Sequence, residues 1–127
     1  MRIGIHMGYS DPDQVAAECR DLGVDEVFLG AGAVPGFAER GYLRVEEYQP
    51  FAEQLAERDI QVAGMILPVP SKEAVLGQRE TERADLCRTI QAAGQSGIDA
   101  ALFYPLDRLL YFHEYHGLTP QIAGLLA

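Results

Sequence analysis

The chain has 127 residues, 48% of them apolar and 23% charged, the proportions of one ordinary globular domain with room for a real core. Its 10 basic and 19 acidic side chains leave a formal net charge of −9, which argues against nucleic acid or an anionic membrane as partner, since both recruit basic patches. No apolar run reaches the roughly 18 residues of a spanning helix. The opening MRIGIHMG is too short for a secretory signal and gives way to polar residues at once, so the expected location is cytoplasmic.

Arg2 to Met7 (RIGIHM) reads as a short strand, apolar enough to be central. Asp11-Pro12-Asp13-Gln14 is a helix start. Asp11 can cap, Pro12 sits where a missing N–H costs nothing, and Gln14 completes a capping box. Val15, Cys19 and Leu22 form the expected buried stripe, and Gly23 ends the helix. Val24 to Gly30 (VDEVFLG) is a second strand, with Asp25 and Glu26 at its entry. Ala31 to Leu43 (AGAVPGFAERGYL) is a Gly-rich loop, longer than the usual connection from strand to helix, and loops of that length are often binding loops. Val45 to Arg58 is predicted as a second helix, with Tyr48, Phe51, Ala52 and Leu55 on one face.

The chain is organised around Ile60 to Pro105. This stretch reads as an apolar run (IQVAGMILP), a polar loop (VPSKEAVLG), an amphipathic segment (QRETERADLCRTIQAAGQSG) and a second apolar run (IDAALFYP). Ala84, Cys87, Ile90 and Ala93 hold a helical spacing, and Gly97 comes after the last turn. The unit is strand–helix–strand, so its strands must be parallel and joined by a right-handed crossover. Cys19 and Cys87 each fall on a predicted apolar face, which suits buried thiols better than a disulfide or a metal pair. After Pro105 comes an aromatic, charged loop (LDRLLYFHEYHG), and Thr119-Pro120 opens a further helix.

Strands beginning near residues 2, 24, 60 and 98 alternate with helices, the signature of a parallel α/β sheet. A doubly wound sheet is one possibility and half of an eight-stranded barrel is the other. Two features favour the half-barrel. GIHMGYS after the first strand is too loose for a G-x-G-x-x-G dinucleotide turn. A whole barrel takes about 250 residues, whereas this chain reaches Leu125-Leu126-Ala127 with its last helix barely begun. Residues 1–127 are therefore expected to be the N-terminal half of a (β/α)8 barrel: four βα units with the last helix truncated.

The succession IGIHMG, LGVDEVFLG, LPVPSKEAVLGQRE and TIQAAGQSGIDAALFY resembles the N-terminal half of the mannonate dehydratases, and more broadly the xylose isomerase-like sugar isomerase and epimerase TIM barrels. Those dehydratases carry Ile-Pro-Val after the third strand, then a Lys and a Gly before an Arg-led helix that ends in an Ala-Gly-Ile turn. Leu67-Pro68-Val69, Gly77, Arg79 and Ser96-Gly97-Ile98 fall in those places. The pattern departs where Pro70-Ser71 replaces the family's His-Glu, where the Lys is displaced to Lys72, and where Phe103-Tyr104 stands for Tyr-Asn. The resemblance implies a lyase or isomerase of carbohydrate metabolism: removal of water from D-mannonate or, alternatively, isomerisation or epimerisation of a sugar. It also implies a divalent metal, manganese, held in the full-length parent by His, Cys and Asp residues of later strands. No cofactor is expected in this fragment, which alone should be inactive, and no metal ligand is assigned to Cys19, Cys87 or any histidine.

Barrel active sites lie at the C-terminal ends of the strands. That criterion selects His6 and Tyr9 after the first strand, and Tyr104, Asp107 and Arg108 after the fourth, as substrate-binding candidates. No residue is assigned a catalytic role. His6 can bond a substrate hydroxyl or carboxylate, or be tied to neighbouring backbone. Arg108 can grip a sugar-acid carboxylate through two hydrogen bonds, or pair with Asp107 or Glu114. His113 and His116 are three apart, not the four of H-E-x-x-H, and no third ligand accompanies them. Glu39 and Arg40, in the long second loop, can line the mouth or remain solvated. A non-catalytic reading stands beside the enzyme fragment: an open four-stranded sheet has two free edges and an uncovered inner face, including Ile3, Ile5, Phe28, Met65 and Leu102, so self-association is expected.

Overall fold

The computed structural model describes residues 4–102. Four strands, β1 (Gly4–Met7), β2 (Glu26–Gly30), β3 (Gln61–Ile66) and β4 (Ala101–Leu102), form one sheet in the order β1-β2-β3-β4 with every neighbouring pair parallel. Between them run α1 (Pro12–Leu22), α2 (Phe37–Arg40), α3 (Val45–Ala56), α4 (Lys72–Val75) and α5 (Glu80–Gln95). The fold is thus a parallel α/β sheet of successive βα units. Asp11 caps α1 by accepting a hydrogen bond from the Asp13 N–H at 3.0 Å. Gly23 closes the helix at φ +68°, a left-handed conformation that costs glycine little.

Strand side chains alternate between faces, and burial separates the two. Met7, Val27, Leu29 and Met65 are buried with Val15 and Cys19 of α1, Tyr48, Phe51 and Leu55 of α3, and Ala92 and Ala93 of α5. Burying a residue such as Leu29 or Met65 completely contributes about 1.5–3 kcal/mol. On the other face His6 and Leu102 are exposed, Phe28, Gly30 and Ile66 half-buried, and Glu26 and Gly64 buried, so among the described residues the long helices cover one face and leave the other partly open. Ile5 and Met65 were expected on the open face; both instead join the helix-side core. Ile3, expected beside them, lies outside the described residues. In β3 one extra residue, Ala63, interrupts the register, which pairs Val27 with Val62 and Phe28 with Gly64.

The structure redraws several expectations. Leu22, expected in the α1 stripe, is 59% exposed at the helix end. In α5 the buried residues are Thr89, Ala92 and Ala93, while Ala84, Cys87 and Ile90 face outward. With Ala92 and Ala93 packed into the core, Thr89 is fully buried on the same face and meets one bond from outside the helix and one within it. Its Oγ1 accepts from Leu43 N–H at 3.2 Å and donates to the Asp85 carbonyl at 2.9 Å. Cys19 is buried as expected, but Cys87, on the outward face of α5, is exposed. The loop over residues 31–43 contains a single 3-10 turn, Ala31–Ala33, and α2, and the polar loop before α5 contains α4. None of the described helices is long and apolar enough to cross a membrane.

Candidate functional site

His6 stands one residue before the C-terminal end of β1, exposed on the open face, and its ring has no hydrogen-bond partner among the described residues. Gly30, the last residue of β2, makes room for it. A Cβ at Gly30 would lie 3.4 Å from His6 Nε2. Gly30 has extended backbone, φ −64° and ψ 131°, which any residue adopts, so what glycine provides here is space. Tyr9 comes after β1 and is 37% exposed. Tyr104, Asp107 and Arg108 lie outside the described residues, as do His113, Glu114 and His116.

Phe28, beside His6 in the sheet register, escapes a search confined to polar side chains. A Cβ at Gly64 would come within 2.5 Å of Phe28 Cε1 and 2.8 Å of the Ala100 carbonyl oxygen, and one at Gly4 within 3.4 Å of Cδ2 on the ring's other edge. The ring therefore spreads over both neighbouring strands, and the extra residue at Ala63 brings a glycine alongside it. A lone glycine inside the apolar run IQVAGMIL is the signal in the sequence, because such glycines mark bulges and close approaches.

The β2–α3 connection is fastened on the helix side. Arg40 pairs with Glu47, both about a quarter exposed, and the Arg40 and Arg88 guanidiniums lie 5.7 and 5.0 Å from the centre of the Tyr42 ring. Arg88 also bonds Asp85 at 3.1 Å. Arg40 is thus a structural clasp rather than a group lining the mouth, and Glu39 is exposed. After β3, both the N–H and the Oγ of Ser71 donate to the Glu82 carboxylate, and Ser71 Oγ accepts from Ala74 N–H, which starts α4.

A hollow of about 910 Å³ lies at the opposite end of the strands, bordered by Leu22, Asp25, Glu26, Asp59 and Gln61. That end of a parallel barrel-type sheet holds its framework rather than its chemistry. Beneath it, burial and then the charges of Asp25 and Glu18 push the Cys19 thiol pKa up. Burial raises the Tyr48 phenol. A hydrogen bond to Asp13 at 2.8 Å raises the Arg58 guanidinium. None of these groups faces the open side.

Comparison with family models, curated proteins and solved structures returned no match. The described residues also contain no group of three His, Cys, Asp or Glu side chains able to hold a metal ion.

Proposed function

We propose that this chain forms four βα units of a sugar-converting barrel of the mannonate dehydratase or xylose isomerase kind, and that its open face binds an acyclic sugar acid or sugar at the C-terminal ends of the strands. One observation carries the reading: four parallel strands in sequential order with, among the described residues, helices packed on one side. A doubly wound sheet reverses its strand order and carries helices on both faces, whereas a barrel wall does neither. On that wall His6 stands where a barrel ligand would meet the strand ends. Its imidazole can donate or accept one hydrogen bond to a substrate hydroxyl.

Titration with D-mannonate and D-xylose, followed by backbone amide shifts, tests the reading. Perturbations gathered at the ends of β1, β2 and β3 are expected. Perturbations on the helix side, or none with either ligand, would defeat it.

A second reading has its own support. Leu102 is 39% exposed on the open face beside half-buried Ile66, and uncovered apolar surface of this kind favours contact between copies. A self-associating domain without activity would lose its association, and nothing else, when Leu102→Lys is introduced.

A further inference from the structure

We propose that Phe28 is a ligand-contacting residue, a platform for the C–H face of an acyclic polyol whose hydroxyls bond to His6. The proposal rests on the reading of the open face as the ligand face and adds to it a residue and a ligand chemistry. Phe28 belongs to a strand whose other large apolar side chains, Val27 and Leu29, are completely buried toward the helices, yet Phe28 itself, on the face it shares with buried Glu26, remains only half-buried. Its ring is confined from both edges: Gly64 admits no side chain beside it, and Gly4 leaves only ordinary contact distance. The backbone at Gly4, Gly30 and Gly64 is not left-handed, so these three glycines serve space rather than chain reversal. Phe28 and His6 are register partners on adjacent strands, which places an apolar ring and an unpartnered imidazole side by side.

That pair matches a chain of alternating C–H and O–H groups. Aromatic rings attract polarised C–H edges through the negative ring face, and a neutral imidazole offers one donor and one acceptor. An anionic group finds less there, because the described strand positions of this face include no Lys or Arg. Arg40, Arg58 and Arg88 are each paired with a carboxylate elsewhere.

The probe is D-mannitol, a polyol without a carboxylate, compared with D-mannonate. Saturating the aromatic protons of the full chain should transfer magnetisation to mannitol C–H protons. Transfer should fall severalfold in Phe28→Leu and persist in Phe28→Tyr, which keeps the ring. His6→Gln should weaken mannitol binding while transfer from the ring survives in what still binds. Undiminished transfer in Phe28→Leu, or no transfer to mannitol in the unaltered chain, overturns the proposal. Phe28→Tyr guards against a folding artefact, since loss of transfer in that variant while its circular dichroism is unchanged also counts against the platform. The broader reading fails separately. If mannitol receives saturation from Phe28 while neither D-mannonate nor D-xylose perturbs the strand ends, the platform stands and the sugar-converting assignment falls.

Discussion

At the scale of single residues, glycine does two different jobs in this chain. Gly36 and Gly41 flank α2 at φ +83° and +85° and are needed for backbone conformation, whereas Gly64 is needed for its missing side chain. Gly64→Ala should cost about 1–3 kcal/mol, the range for inserting a methyl into a filled site. Pairing it with Phe28→Ala should recover only part of this, because the clash with the Ala100 carbonyl remains. Urea midpoints of the single and double variants check both statements, and full recovery would mean the β4 backbone yields freely. Cys19 gives a pH-dependent counterpart. Its thiol pKa is raised above the ordinary 9.0 on folding, so the folded chain holds that proton more tightly than the unfolded one. The resulting stability is fully present below pH 9.0 and is lost as pH rises through the folded-state pKa. The stability difference between the native chain and Cys19→Ala should therefore shrink in alkaline solution. At neutral pH a thiol reagent should modify Cys87 at once and Cys19 only on unfolding.

At the scale of elements, one buried hydroxyl joins α5 to the β2–α3 connection. Thr89→Val preserves shape but leaves the Leu43 N–H without its acceptor, and a buried unsatisfied donor costs about 1–3 kcal/mol. Because that N–H lies in the β2–α3 connection, the loss should also appear as faster hydrogen exchange at Leu43, with little change in the amides of α1. Equal acceleration everywhere would show that Thr89 supports the whole core rather than this junction. At the other end of the chain, Asp11→Ala should remove the α1 cap and cost about 0.5–2 kcal/mol. The clasp formed by Arg40, Tyr42, Glu47 and Arg88 holds the same connection as Thr89. It explains why a Gly-rich stretch that reads as a ligand loop is packed against two helices instead.

At the scale of the whole molecule, the open face and the net charge of −9 act in opposite directions. Apolar surface on that face favours association at about 25 cal/mol per Å² buried, while like charge opposes it and is screened by salt. Light scattering at tens of micromolar should give a mass above 13.9 kDa, rising with salt and falling in Leu102→Lys. A single 13.9 kDa species at every salt concentration would show that the open face is not sticky enough to pair.

Strand number, strand direction and the helix between each pair of strands were legible because they depend on local patterns. Short apolar runs bounded by turn residues read as strands in VDEVFLG and IQVAGMIL, and the start and stop of α1 are written in Asp11-Pro12 and Gly23. Parallel pairing is then imposed by the intervening helices. The face of α5 that turns inward was legible only at Ala93, since Ala84, Cys87 and Ile90 extend its helical stripe as well as Thr89 and Ala92 do. What separates them lies far off in the chain: the core that Ala92 and Ala93 join, and the Leu43 N–H, 46 positions away, that bonds Thr89. His6 was legible as a polar residue at a strand end. Phe28 was legible as an inner-face strand residue, but its place beside His6 and against Gly64 was not, because the register and the Ala63 bulge exist only once the strands are side by side. Local composition determined the elements; contacts between positions far apart in the chain decided which faces they bury and which they leave open.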